Sequence, residues 1–238
     1  MSEHTVHLRQ HGAIAAGTSA FHFDRPTGFD FRAGQAVDLI LPGSPGAEEQ
    51  RHAFSLVSAP HEGELVIATR MRDSAYKRTL ASLAAGTPVR IDGPFGSLTL
   101  HRDRRRPAVM IAGGIGITPF VSLLRQAAKE ESEQPMRLIY SNRRPEDAAF
   151  LAGLQRLERC MGNFRLLATM TGMARSAQPW TGETRKIDEA LLTSACAGLV
   201  APVYYLAGPL SMVRAVRETL SGAGVEDDDV RNEEFYGY

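Results

Sequence analysis

The stretch that most constrains this 238-residue chain is Ala108–Leu124, AVMIAGGIGITPFVSLL, seventeen residues without a charge. Val109, Met110, Ile111 and Ala112 form a short continuous apolar run, the pattern of a strand covered on both faces. Gly113, Gly114 and Gly116 follow at once. Thr118 suits a helix cap, and Pro119 suits a first helical turn, where its missing N–H costs nothing. Phe120, Val121, Leu123 and Leu124 then recur at helical spacing. A chain that turns on glycines at the carboxyl end of a parallel strand leaves backbone N–H groups facing outward, a seat for phosphate or a cofactor. An ordinary βα turn that binds nothing has the same pattern. A membrane span needs about 20 apolar residues, and three glycines followed by Thr-Pro suit a turn better.

The chain before this stretch reads as β structure. Thr5–Arg9, Thr18–Phe23, Ala36–Leu41, Ala53–Val57, Leu65–Arg70 and Pro88–Ile91 are short strand candidates separated by Gly- and Pro-rich turns. Their spacing indicates an antiparallel barrel or sandwich. Ala75–Ala84 is the exception, with the composition of a short helix. After Pro107, strands alternate with helices. Met136–Tyr140, Phe164–Met170 and Val203–Ala207 are strands, and Pro145–Arg159 and Pro209–Ser221 are helices. A further helix runs to Ser194 behind a cap at Asp188. This is βαβ organisation around a parallel sheet. The charged segment His101–Pro107 marks the boundary. The expected architecture is therefore a β-barrel domain over residues 1–101 and an α/β nucleotide-binding domain over 102–238.

Composition removes several classes of function. Lys+Arg and Asp+Glu balance at 27 each, so the chain has no net field for nucleic acid or an anionic membrane. The local clusters Arg102–Arg106 and Arg143-Arg144 read as solvated turns. Cys160 and Cys196 are too few for a disulfide framework, a zinc motif or an iron–sulfur cluster within this chain. His4, His7 and His11 fall in a segment that looks extended, which disfavours a shared metal. The start, MSEHTVHLRQ, lacks an apolar signal region, so a cytoplasmic location is expected.

Three further constellations bear on chemistry. Arg51-His52-Ala53-Phe54-Ser55-Leu56 places a phosphate-binding cation, an aromatic ring and a hydroxyl along one strand. An alternating strand with Phe54 in the core reads equally well. Met71–Lys77 puts Arg72 and Lys77 at a helix start, a seat for pyrophosphate or a solvated surface helix. Glu233–Tyr238 ends the chain with Phe235, Tyr236 and Tyr238, which should dock on something apolar.

Taken in order, these residues resemble the ferredoxin–NADP⁺ reductase family across the whole length. The matching segments are Arg51-x-x-Phe54-Ser55-Leu56, Gly93-Pro94-Phe95-Gly96, Gly113–Pro119 and Ala207–Met212. The resemblance implies a flavin-binding barrel, a nicotinamide-nucleotide domain and an active site between them. It implies that Arg51 binds the flavin phosphates, with His52 and Ala53 beside it. Phe54 would lie against the isoalloxazine and Ser55 would approach its N5. Thr69, Met71, Ser74, Tyr76 and Lys77 would complete the flavin site. Gly113, Gly114, Gly116, Thr118 and Pro119 would face the nicotinamide dinucleotide, with Gly208, Pro209 and Met212 opposite. The family's acidic residue falls on Glu233 or Glu234 and its C-terminal aromatic on Phe235 or Tyr238; Ser55, Glu234 and Phe235 are the catalytic candidates.

The chain departs from the family pattern at three positions. Phe54 stands where tyrosine is usual, Lys77 where a serine or threonine is usual, and Ala207 where many members carry cysteine. FAD is preferred over FMN, because Tyr76 could stack on an adenine. Ser141-Asn142-Arg143-Arg144 ends the strand that meets the adenosine in the family. Its arginines and serine suit a 2′-phosphate, and NADPH is preferred over NADH. The activity implied is transfer of electrons from NAD(P)H through flavin to a separate acceptor, a ferredoxin, flavodoxin, haem protein or oxygenase component. Direct reduction of small acceptors such as ferric chelates or free flavin, and a non-catalytic nucleotide-binding regulator, are the competing readings.

Overall fold

A computed structural model describes residues 2–41 and 49–235. The first half forms a six-stranded antiparallel sheet from β1 (Ser2–Ala15), β2 (Thr18–Asp24), β3 (Ala36–Leu41), β4 (Gln50–Ser55), β5 (Glu64–Arg70) and β6 (Pro88–Phe95), with α1 (Ala75–Ser82) between the last two. The strand order is β4-β3-β6-β1-β2-β5. β1 runs well beyond the expected Thr5–Arg9 because it serves two partners in turn. Ser2–His7 pair with β6, and Leu8–Ala15 pair with β2 across bulges. The edges β4 and β5 curl toward each other, and the barrel's interior is filled by Leu8, Phe21, Leu39, Phe54, Ile67 and Leu80, among others.

The second half is a five-stranded parallel sheet of β7 (Ala108–Gly113), β8 (Met136–Asn142), β9 (Phe164–Met170), β10 (Val203–Pro209) and β11 (Val230–Phe235), in the order β11-β10-β7-β8-β9. The chain steps outward from β7 to β9, then crosses to the other side of β7. The crevice between the carboxyl ends of β7 and β10 is thus a topological switch point, where open α/β sheets bind ligands. α2 (Thr118–Lys129) and α3 (Leu151–Cys160) pack on one face, and α4 (Glu189–Ala195) and α5 (Leu210–Gly222) on the other.

Three local expectations change. Pro145–Arg159 is not one helix: a 3-10 turn over Pro145–Asp147 is followed by α3, and Phe150 at φ +62° breaks the path between them. Thr118 does not cap α2. Gly114–Ile117 form a 3-10 turn, the helix begins at Thr118 itself, and the Thr118 hydroxyl donates to the Ile115 carbonyl at 3.1 Å. Val230–Phe235 is a fifth strand rather than a tail, paired in parallel with β10. Asp188 caps α4 as expected, accepting from the Leu191 N–H at 2.8 Å.

The halves are bonded together along a broad seam. The buried Ser122 hydroxyl on α2 donates to the Ser58 carbonyl at 2.7 Å, and the Ala16 N–H donates to the Glu146 carbonyl at 2.7 Å. Arg231 on β11 donates to the Thr99 carbonyl at 2.6 Å. Barrel residues Ala20, Val57, Val66 and Leu98 share one core with α2 and the sheet. Among the described residues no helix is long and apolar enough to cross a membrane, and no three His, Cys, Asp or Glu side chains are grouped to hold a metal.

Candidate active site

A cleft of about 540 Å³ opens at the switch point. Gly113 and Gly114 from the end of β7, Ser141 and Asn142 from β8, and Pro209 and Met212 from the β10–α5 turn line it. The glycines there play different parts. A Cβ on Gly113 would sit 2.6 Å from the Met212 sulfur and 2.8 Å from Pro209, and one on Gly208 would sit 2.9 Å from the Gly113 nitrogen. A Cβ on Gly116 would strike the Ala207 carbonyl oxygen. These three let the two turns press against each other. Gly114 alone combines a positive φ of +54° with open space. Gly116, Thr118, Pro119 and Gly208 stand behind the lining surface, and Thr118 is only 2% exposed.

The charges at the cleft differ from the sequence expectation. Arg144 is committed to Asp147 through two bonds of 2.9 and 2.7 Å, with Glu146 at 3.7 Å. It is a structural clamp at the start of the 3-10 turn. The Arg144 guanidinium, with Arg70 further off, holds the Asp147 carboxyl below the usual carboxylate range. Arg143 lines the cleft and forms no salt bridge among the described residues. Arg70 and Arg72 from the barrel, and Lys186 from the segment before α4, join it there. Sequence reasoning did not place Arg70 or Lys186 at this cleft, and it set Arg72 at a separate phosphate seat with Lys77. Arg70 and Arg72 flank Met71, but nothing local says that the end of β5 faces the other half. Asn142 Nδ2 is the one buried side-chain polar atom without a hydrogen-bond partner among the described residues, a donor free for a ligand acceptor.

The second constellation lies where β4 meets β5. The Val57 N–H donates to the Val66 carbonyl at 2.8 Å, closing one end of that seam. At Phe54 and Thr69 the strands are bridged instead by a side chain from α1. The Lys77 ammonium donates to the Thr69 hydroxyl and lies 4.7 Å from the centroid of the Phe54 ring. Tyr76 stacks near Phe54 at 6.1 Å, packs on His52 at 4.1 Å, and donates its hydroxyl to the Leu39 carbonyl at 2.9 Å. Ser74 caps α1, accepting from the Lys77 N–H at 3.2 Å. Met71 packs on the barrel core, and Ala53 is exposed.

Arg51 does not share this environment. Three residues from Phe54 on an alternating strand, it projects from the opposite face. Its guanidinium meets Asp92 at 3.2 Å, Glu3 at 3.4 Å and Asp38 at 3.5 Å. His52, two residues from Phe54, is the β4 cation-forming group on the ring's side. Burial lowers its pKa, and the nearby Lys77 ammonium lowers it further.

One hydrogen bond connects the two constellations. Ser55 at the end of β4 donates to Glu233 Oε1 on β11 at 3.4 Å. Glu233 is in register with Ala207, which is in register with Ala112, so the three lie in one row across the carboxyl edge of the sheet. Burial raises the Glu233 carboxyl above its usual range, and the Ser55 bond pulls it partly back. Glu234 and Phe235 continue β11 beside Gly208 and Pro209. Tyr238 lies outside the described residues.

Residues 110–218 match the oxidoreductase NAD-binding domain family. The chain is 30% identical over 210 residues to ferredoxin–NADP reductase B of Sorangium cellulosum, covering 84% of each. It belongs to the ferredoxin–NADP reductase family. A family relative, the reductase component of propane 2-monooxygenase from Mycolicibacterium smegmatis, is 29% identical over 217 residues. That match takes in 88% of this chain and 60% of the relative, so the chain spans about three fifths of the length of such reductase components. A crystal structure of a ferredoxin NADP⁺ reductase from Neisseria gonorrhoeae with bound FAD and NADP has the same fold, with a TM-score of 0.82, 22% identity and 98% of each chain covered. The switch-point cleft and the barrel seam are thus both embedded in the family's two-part architecture.

Proposed function

We propose that the chain is a flavin-dependent NAD(P)H reductase that delivers electrons to a separate acceptor protein. The observation that carries this reading is the Ser55–Glu233 hydrogen bond, which joins the aromatic seam of the barrel to the sheet edge beside the nucleotide cleft. Residues 1–101 then serve as the flavin domain and 102–238 as the nucleotide domain.

The seam fits a flavin in what it offers. Phe54 and Tyr76 supply aromatic surface, Ser55 a hydroxyl, and Lys77 an ammonium without a carboxylate partner among the described residues. The fit departs from expectation at Arg51, whose charge is taken by Asp38, Asp92 and Glu3. When bound, the flavin supplies the chemistry, accepting hydride from the nicotinamide and releasing electrons one or two at a time. The chain's part is to stack and orient the two rings, to shield them from water at the seam, and to hold a proton on the Ser55–Glu233 pair.

Arg143, with Arg70, Arg72 and Lys186, supports NADPH over NADH: four cations against the single carboxylate of Asp147 suit a 2′-phosphate and pyrophosphate. Relatives that are the reductase component of a monooxygenase and the electron transfer component of a dioxygenase support an oxygenase component as the acceptor. Both cysteines are free, which supports a cytoplasmic location. The decisive experiment is anaerobic titration of the purified full chain. It is expected to be yellow and to bleach with NADPH. A colourless protein that takes up no flavin overturns the reading. Fast turnover of ferric chelates or free flavin, with no gain from an oxygenase component, overturns the protein acceptor.

A further inference from the structure

Among the described residues β11 is an edge strand, paired on one side only, with β10. Its side chains alternate between two faces. Val230 packs into the core beneath α4 and α5, and the Asn232 amide oxygen accepts from Arg217 on α5 at 3.3 Å. Arg231 and Glu233 point the other way, toward the barrel. Glu233 meets Ser55. Arg231 donates to the Thr99 carbonyl at 2.6 Å, and its guanidinium lies 5.6 Å from the centroid of the Tyr205 ring. Just ahead of the strand, Asp229 meets Arg106 at 2.7 Å. Thr99 and Arg106 both belong to the segment that joins β6 to β7, and so joins the two halves.

That joining segment is itself held in place. His101 within it is 6% exposed. Its Nε2 lies 3.0 Å from the Arg106 carbonyl, which can only accept. The ring proton is therefore on Nε2, and Nδ1 accepts from the Tyr205 hydroxyl at 2.7 Å. The same hydroxyl accepts from the His101 N–H at 2.8 Å. Tyr205 is in register with Arg231, as Ala207 is with Glu233. The joining segment, β10 and β11 are thus tied across one row, two residues upstream of Glu233.

The Ser55–Glu233 contact depends on where β11 lies. At 3.4 Å it is near the outer limit of a hydrogen bond, so a shift on the order of a few tenths of an ångström abolishes it. Pairing with β10 alone leaves an edge strand free to tilt against the barrel. The bonds from Arg231 and Asp229 to the joining segment remove that freedom.

We infer that Arg231 is a positioning residue for flavin reduction: with Asp229 it anchors β11 to the segment between the halves, and this anchorage holds Glu233 within reach of Ser55. The inference rests on the reading of Ser55 and Glu233 as the proton-holding pair beside the flavin.

The test is a mutant cycle read by anaerobic stopped-flow reduction of the flavin-loaded full chain over a range of NADPH concentrations. Wild type, Ser55→Ala, Arg231→Met and the variant carrying both changes are compared, with flavin content and melting curves measured for each. Arg231→Met is expected to slow the limiting rate by roughly tenfold, as Ser55→Ala does, with the apparent Kd for NADPH unchanged. The double variant should be no slower than Ser55→Ala alone, because both changes break the same bond. Arg231→Lys keeps a cation for the Thr99 carbonyl and the Tyr205 ring, and should recover most of the rate. Asp229→Asn loosens the strand from its other end and stands in if Arg231→Met does not fold. It is expected to slow reduction about threefold, in keeping with a part-exposed ion pair, and only where Ser55 is present. If these variants lower Tm but leave the rate unchanged, or slow the Ser55→Ala protein as much as the wild type, the anchorage is only structural and the inference fails. An unchanged rate in Ser55→Ala removes the pair itself, and the inference with it. A chain that takes up no flavin overturns the flavin reading on which both stand.

Discussion

Ser55 and Glu233 are 178 positions apart and meet at 3.4 Å. Ser55→Ala is expected to slow reduction of bound flavin by roughly tenfold or more, the worth of one lost hydrogen bond, with little change in flavin content. Stopped-flow mixing with NADPH measures it, and an unchanged rate removes Ser55 from the chemistry. Glu233 makes a second prediction. Burial raises its folded-state pKa, so the native protein holds the proton more tightly than the unfolded chain. Its contribution to stability is complete below the unfolded value near 4.5 and is lost as pH rises through the folded value. Glu233→Gln should therefore flatten the decline of Tm with rising pH across that window. A third concerns Arg51. Arg51→Ala leaves Asp38, Asp92 and Glu3 without their shared cation, and Asp92 is 8% exposed. The expected result is a loss of about 1–3 kcal/mol in urea unfolding with flavin content retained, against the sequence expectation that Arg51 anchors the flavin.

At the scale of elements, the β7 turn depends on glycine for two different reasons, and substitutions separate them. Gly114→Ala places a side chain at φ +54° in open space, and costs about 1 kcal/mol of backbone strain. Gly116→Ala drives a methyl into the Ala207 carbonyl, which cannot step aside, and should cost about 3 kcal/mol. Urea midpoints that rank the two variants the other way would refute this account of the turn. The glycine run itself was legible in the sequence as strand, turn and helix. What was not legible was that Gly113, Gly116 and Gly208 face the opposite turn. Glycine's local signature is the same whether a ligand or another backbone lies above it. β11 was missed for a related reason. Val230–Phe235 carries charges and alternates weakly, because among the described residues it is an edge strand, with Asn232 exposed.

At the scale of the molecule, the nucleotide cleft takes its charge from both halves. Arg143→Ala is expected to raise KM for NADPH by roughly ten- to a hundredfold and to move KM for NADH much less, as kcat/KM with the two cofactors would show. Arg144→Ala should instead lower Tm, since it releases Asp147 and the turn that Ala16 leans on. By itself the sequence determined the order of barrel and α/β halves, the strand, glycine turn and start of helix at Ala108–Leu124 and the aromatic strand at Phe54. All of these follow from period, glycine placement and composition, which are properties of neighbouring residues. Only the tertiary structure decided which charges are free. Arg51 and Arg144 read as ligand cations, yet carboxylates from β1, β3, β6 and the β8 turn neutralise them. Lys77 and Arg143 are cations left facing the seam and the cleft, while Arg70 meets Asp147 at 3.8 Å. A side chain's charge is written in the sequence. Its counter-charge comes from whichever distant element the fold brings beside it.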